Sequence, residues 1–206
     1  MTLGNEAWED EYCKKGILWN GLTHDLPELS AGSRVLELGC GNGKTLAALI
    51  RKGWNVTALD SSQKAVAMSR NLVKGSSPAE LMVADACDIP VKNATFDAIL
   101  AIHVIGHMHE HDRKKTAFEV TRILKPGGIV FFCEFSTEDV RFGKGHSIEP
   151  STFMRGTKII THYFTLQEAN DLFSGLICNS ITLHQWPMRI RGINLVRSEV
   201  IAVFTR

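Results

Sequence analysis

The spacing of apolar and polar positions changes character along this chain. Arg34–Leu38 (RVLEL) is a short apolar run that ends in glycines, the pattern of a buried strand. Lys44–Lys52 has helical composition and stops at Gly53, a helix C-cap residue. The alternation then repeats. Trp54–Leu59 predicts a second strand ending at Asp60, Gln63–Val73 a helix closed by Gly75 and Pro78, and Glu80–Ala84 a third strand running into Asp85. Phe96–Ile102 predicts a fourth strand, Asp112–Leu124 a helix closed by Lys125-Pro126-Gly127-Gly128, and Ile129–Phe135 a fifth strand.

Beyond Phe135 the pattern weakens. The segment from Ser136 to Thr161 is rich in Gly, Ser, Thr and charge and predicts no regular structure. Leu166–Phe173 predicts a helix, and Ile177–His184 and Glu199–Phe204 two more strands that pair at a sheet edge. Ahead of the alternation, Asn5–Trp19 places Trp8, Tyr12 and Trp19 at helix-like spacing, and 21–33 reads as a connector. Strand and helix alternating through short links predict an α/β fold, doubly wound, with a mostly parallel seven-stranded sheet and an antiparallel C-terminal edge hairpin. The expected organisation is one domain over 1–206. It comprises a helical cap (1–33), a ligand-binding core (34–135), an insertion (136–163) and a C-terminal helix and hairpin (164–206).

Composition narrows this picture. Hydrophobic residues at 44% and charged residues at 22% match an ordinary globular core and argue against disorder. The formal net charge of +1 offers no global attraction to a polyanion, so a nucleic-acid partner is not expected. The five cysteines (Cys13, Cys40, Cys87, Cys133, Cys178) are odd in number and widely spaced, without a CxxC pair, and read as free thiols in a reducing compartment. Met1–Tyr12 lacks the basic-then-apolar pattern of a signal peptide, and no apolar run is long enough for a bilayer. A cytoplasmic location without membrane contact is expected, and the oligomeric state stays open.

The strongest chemical signal is Val35-Leu36-Glu37-Leu38-Gly39-Cys40-Gly41-Asn42-Gly43. A strand runs into a glycine turn and a helix follows, so ligand can approach bare backbone and the positive end of a helix. The spacing is G-x-G-x-G, and Lys44 stands where a third dinucleotide-binding glycine belongs. Glu37 interrupts the apolar strand just before the turn. A buried acid there disfavours pyrophosphate and either tolerates or favours a cationic ligand. Asp60 follows the first glycine by about 20 residues, the separation of a ribose-binding carboxylate. Asp85-Ala86 ends the third strand, placed to meet an adenine amino group. The alternative is an ordinary turn in an α/β domain.

Taken in order, VLELGCGNG (35–43), Asp60-Ser61, VADACDIP (83–90), FDAILAIHVIGHM (96–108) and ILKPGG (123–128) resemble the Rossmann-like class I S-adenosylmethionine-dependent methyltransferases, specifically the type-11-like domain. The resemblance covers about residues 34 to 135 and continues more loosely to the end. It implies S-adenosyl-L-methionine as cofactor. Gly39, Cys40, Gly41 and Gly43 would lie along its methionine part beside Glu37, Asp60 and Ser61 at the ribose, Asp85 and Ala86 at the adenine, and Ala101 and Ile102 flanking the site. Tyr12 and Trp19 act either as a lid or as core packing of one helix.

Methyl transfer is an in-line displacement with a neutral leaving group, so alignment carries much of the catalysis and a base matters only if the acceptor must lose a proton. The sequence shows no triad. His103, His107, His109 and His111 resemble a metal-binding string, but the last acid and histidine are exchanged, and no metal is expected. The resemblance implies that His107 lies near the acceptor, as a base, an orienting group or a structural residue. Glu134 is either a buried, partnered acid or a site residue. The insertion supplies Arg155, His162 and Tyr163, which with His103 and Glu134 are the expected acceptor-side residues. A small-molecule acceptor is expected; transfer to tRNA or protein and a non-catalytic cofactor-binding module are the alternatives.

Overall fold

A computed structural model describes residues 3–16, 25–75 and 79–206. The elements run α1 (Leu3–Lys15), β1 (Arg34–Leu38), α2 (Lys44–Arg51), β2 (Asn55–Asp60), α3 (Gln63–Leu72), β3 (Glu80–Val83), β4 (Phe96–Ile102), α4 (Glu110–Ile123) and β5 (Leu124–Phe135). Then follow β6 (His146–Glu149), β7 (Thr152–Met154), β8 (Ile160–His162), α5 (Leu166–Leu172), β9 (Ile177–Ile190) and β10 (Ile193–Thr205). The first expected helix is seen to Lys15; its end at Trp19, the start of the 21–33 connector and Pro78 lie outside the described residues.

Seven strands form one sheet in the order β3-β2-β1-β4-β5-β10-β9. β1 to β5 are parallel, β10 is antiparallel to β5, and β9 is antiparallel to β10. This is the expected doubly wound Rossmann-like sheet with its antiparallel edge. The chain builds outward from β1 to β3, then crosses over to β4 on the other side of β1. That reversal opens a crevice at the carboxyl ends of β1 and β4, where such sheets bind ligands.

Alternation within each strand sends neighbouring side chains to opposite faces. Leu36, Leu38, Ile99, Ala101, Val130 and Phe132 pack with Ala117, Val120 and Ile123 of α4 and Ala169 of α5. Val35, Val56, Ala58, Ala98, Leu100 and Phe131 pack on the other face with Leu46 and Leu49 of α2 and Val66 of α3. Helices on both faces therefore bury a sheet whose central strands are apolar throughout.

Two features differ from the expectation. β5 begins at Leu124 because the Gly127–Gly128 backbone joins the ladder edge: Gly127 N–H donates to the Arg206 carbonyl and Arg206 N–H to the Gly128 carbonyl, at 2.8 and 3.0 Å. The segment expected to be irregular forms a second, three-stranded antiparallel sheet, β6-β7-β8. Strands of three or four residues are too short for alternation to reveal them. The edge hairpin is also longer than expected, since β9 and β10 continue to a turn at Arg191-Gly192.

Candidate active site

The glycine turn is tied to the end of β2. Cys40 N–H donates to the Leu59 carbonyl, and Gly41 N–H to Asp60 Oδ2, both at 2.9 Å. Asp60 Oδ1 accepts from Ser62 N–H at 2.9 Å. Burial pushes the Asp60 carboxyl up, against the pull of these N–H groups. Gly39 has φ +71°, and a Cβ there would lie 2.6 Å from Val104 Cγ2, so only glycine lets the loop after β4 close over the turn. Gly43 instead turns toward α3, where a Cβ would meet Ser69 and Leu72 at 3.0 Å.

The cavity above this turn has a volume of about 1440 Å³, more than one small ligand needs. Its first lobe is lined by Glu37, Gly39, Cys40, Gly41, Asp60, Ser61, Asp85, Ala86 and Ile102. Glu37 is 5% exposed, and its Oε2 has no hydrogen-bond partner. Burial, and then the Asp60 charge, push its carboxyl well up. A buried carboxylate oxygen without a donor is a place for a cationic group. Trp8, Glu11, Tyr12 and Lys15 of α1 close the top. α1 is held there by Glu9, which accepts from Ser62 Oγ at 2.5 Å and from Lys64 N–H at 3.2 Å at the α3 N-terminus.

The second lobe lies over the ends of β4, β5, β10 and β9. Phe135, Glu199 and His184 are register partners across three strands and share one face, as do Arg197 and Trp186. His103 has φ +51°, uncommon for a residue with a side chain. That conformation stacks its ring on Phe135 at 4.4 Å and sets Nε2 2.9 Å from Glu199 Oε1. The Arg197 guanidinium lies over Phe135 at 4.7 Å and over Trp186 at 5.4 Å. Arg141 and Arg155 complete the rim.

The expected site residues separate into those on the wall and those behind it. His103, His107 and Arg155 line the cavity, as do the cofactor-side residues named above and Tyr12. Ala101 and Gly43 do not. Ala101 is wholly buried in the sheet, and Gly43 serves the α2–α3 contact. Trp19 lies outside the described residues. Glu134, His162 and Tyr163 stand behind the wall of the second lobe. Glu134 points to the opposite sheet face, where Oε1 accepts from Val104 and Gly106 N–H at 2.8 and 2.9 Å and holds the 104–106 loop. Burial raises its pKa to about 7. His162 is buried between Thr152 Oγ1 and Glu168, each at 2.8 Å. Tyr163 packs on Phe135, Phe142 and Phe153.

The histidine string disperses rather than converging. His103 meets Glu199, His109 meets Glu149 at 2.7 Å, and His107 Nδ1 lies 2.7 Å from the Ile160 carbonyl. A carbonyl only accepts, so Nδ1 carries the proton and Nε2 keeps its lone pair. Burial lowers the His107 pKa to about 4, so it is neutral near pH 7. A different trio, His103, Cys133 and Glu199, brings its ligand atoms within 4.8 Å of one another. There the His103 imidazole meets the Glu199 carboxylate directly, and Cys133 donates its thiol to Glu199 at 3.6 Å.

Sequence reasoning missed Phe135, His184, Trp186 and Glu199 as site residues; Arg141 it reads as one of the insertion's cations, able to meet an anionic acceptor or simply solvated, and Arg197 as part of a basic hairpin edge or simply exposed. Their available signal was alternation: 184 and 186 on one strand, and 197 and 199 on the next, share a face at period two.

A doubly wound sheet with a glycine turn and strand-end carboxylates Glu37, Asp60 and Asp85 around one cavity defines a nucleoside-binding Rossmann-like domain. Residues 36–132 match the family described as methyltransferase domain. That segment is a methyltransferase domain of the class I S-adenosylmethionine-dependent type, the type whose cofactor is S-adenosylmethionine. It is 32% identical over 169 residues to the tRNA N(3)-cytidine methyltransferase METTL2 of Danio rerio, across 74% of this chain and 47% of that protein. It is 36% identical over 123 residues to a demethylmenaquinone methyltransferase of Clavibacter sepedonicus, across 60% of this chain and 49% of that protein. The chain thus spans about half the length of these curated relatives.

Among solved structures, a SAM-dependent methyltransferase from Methanosarcina mazei superimposes with a TM-score of 0.74 at 22% identity, over 86% of this chain and 94% of that one. The tRNA-methylating relatives correct the expectation that nucleic acid is not a partner. Net charge misled because it averages over the whole surface, whereas Arg141, Arg155 and Arg197 gather at one lobe. No helix among the described residues is long and apolar enough to cross a membrane.

Proposed function

We propose that this chain methylates a ring nitrogen of a nucleobase in RNA. The observation that carries this reading is the column of planar groups His103, Phe135, Arg197 and Trp186 beside the cofactor lobe. Flat, partly cationic surfaces of this kind hold unstacked bases. The names of the relatives support the same class of acceptor.

When bound, S-adenosylmethionine supplies a methyl group on a cationic sulfur. Glu37 would take the cationic end of the amino-acid part where it passes the Gly39–Gly41 turn, Asp60 the ribose hydroxyls, and Asp85 with Ala86 the adenine. Trp8 and Tyr12 exclude water from above. Transfer moves one positive charge toward the acceptor, and Glu199, oriented by His103, stabilises charge arriving there. A ring nitrogen with its own lone pair needs no base. His107 remains neutral and orients the 104–107 loop against Ile160 and the edge of Trp8. Catalysis then rests mainly on positioning.

The test is transfer of labelled methyl from S-adenosylmethionine to unmodified tRNA, followed by digestion and mass analysis of the nucleosides. A singly methylated base is expected. Protein that binds the cofactor, leaves tRNA unlabelled and methylates a demethylmenaquinone analogue would assign the lobe to a small planar molecule instead.

A further inference from the structure

The acceptor lobe holds more positive charge than its own carboxylates neutralise. Arg197 is 6% exposed; its Nε donates to Asp139 Oδ2 at 2.6 Å, while its Nη2 is buried without a partner. Asp139 is fully committed, since its oxygens also accept from the Arg141 and Ser198 N–H groups at 2.9 and 3.0 Å. Glu138 is taken by Gln185, and Glu199 by His103. Among the described residues, neither Arg141 nor Arg155 has a carboxylate within ion-pair distance, yet both line the cavity. The Arg141 guanidinium is half-buried over the Phe135 ring at 5.8 Å. Burial, together with the charges of Arg197 and Arg155, lowers its hold on its proton. Arg155 stands exposed at the rim. The unpaired, half-buried Arg141 guanidinium and the unpartnered Arg197 Nη2 beside a ligand cavity are costly unless an anion completes them.

The geometry points to an anion subsite formed by Arg141, Arg155 and the free nitrogen of Arg197, which takes a phosphate group attached to the methyl acceptor. The inference rests on reading this lobe as the acceptor site. Guanidinium forks match the oxygens of a phosphate, and two of these three cations have no competing internal partner. The subsite gives the lobe a direction. The planar column takes the ring, the arginine rim takes the phosphate, and the ring edge is turned toward Glu199 and the cofactor lobe. The phosphate belongs either to a polynucleotide backbone or to a free nucleotide.

The experiment measures equilibrium binding to the whole chain saturated with S-adenosylhomocysteine. The probes are a tRNA transcript, free cytidine 5′-monophosphate and free cytidine. The monophosphate should bind roughly tenfold or more tightly than cytidine. Arg141→Gln and Arg155→Gln should each remove roughly that factor, and each should reduce the salt dependence of transcript binding by about one counterion. Arg197→Lys, which keeps charge but loses the fork, should weaken both phosphate probes. Lys92→Gln, away from the cavity, should change monophosphate binding by less than twofold. Unchanged affinity for S-adenosylhomocysteine shows that the variants are folded.

Loss with both phosphate probes supports a subsite that accepts free nucleotides. Loss with the transcript alone supports a backbone-phosphate subsite. Equal binding of cytidine and its monophosphate, together with wild-type transcript binding by Arg141→Gln and Arg155→Gln, overturns the inference. Phosphate binding that follows these arginines while no RNA is methylated would leave the subsite standing and refute the proposed reaction.

Discussion

Buried acids near the sheet end have roles that differ residue by residue. Glu134 carries a pKa raised to about 7, so its neutral form is the one the fold prefers. A raised carboxyl contributes stability that is complete when it is protonated and falls as pH rises from its unfolded value toward about 7. His107 acts in the opposite direction: with a pKa lowered to about 4, its contribution is lost as pH falls from its unfolded value near 6.5. Glu134→Gln keeps an oxygen for Val104 and Gly106 N–H and removes the charge. In urea unfolding, the wild type should lose on the order of 2–3 kcal/mol relative to this variant between about pH 5 and pH 8. Parallel pH curves for the two proteins would contradict the assignment. Asp60→Ala removes the acceptor for Gly41 and Ser62 N–H and should weaken S-adenosylmethionine binding by on the order of 1–3 kcal/mol, read by calorimetry.

Elements supply the frame for those side chains. The long edge hairpin places Trp186 opposite Arg197 and His184 opposite Glu199, so the acceptor wall is built by strand register rather than by a sequence motif. Trp186→Ala should lower methyl transfer roughly tenfold while leaving cofactor affinity in place, because stacking on one aromatic ring contributes about 1–3 kcal/mol per base. The β6-β7-β8 layer is fastened differently. Glu149 accepts from His109 Nδ1 at 2.7 Å and from Glu110 N–H at 3.0 Å, with Arg113 3.4 Å away. Glu149→Ala cuts all three ties. It should speed proteolysis of the 141–158 segment and raise the acceptor KM more than it lowers kcat, whereas an unaltered cleavage rate would show that the layer is anchored elsewhere.

At the scale of the whole molecule, one cavity at the topological switch has two lobes, which the proposed function assigns to two ligands. Glu37, Asp60 and Asp85 line the first lobe, whereas Arg141, Arg155 and Arg197 outnumber Glu199 in the second, so the polarity of the cavity distinguishes the two ends. Ligand that binds only the folded chain stabilises it by about 2.7 kcal/mol at a hundredfold excess over Kd. S-adenosylmethionine should therefore raise the Tm by several degrees, and NAD should not, because its pyrophosphate would face Glu37 and Asp60. An equal shift with NAD would contradict the polarity assigned to the first lobe.

Local order made the strands, the helices, the glycine turn and the three strand-end acids legible from residues alone, since period, caps and turn chemistry act over a few neighbours. Ser136–Thr161 gave no such signal because its strands are too short, and the hairpin ends escaped notice because their exposed face alternates weakly. Glu134, His162 and Tyr163 have the residue types of an active site and yet stand behind its wall. Trp186 falls between the two expected strands, and Arg197 and Glu199 lie at the sheet edge, yet all three line the cavity. Which side of a strand faces a cavity depends on pairing between segments about sixty residues apart, from Cys133 to Glu199, and that pairing exists only once the sheet is assembled.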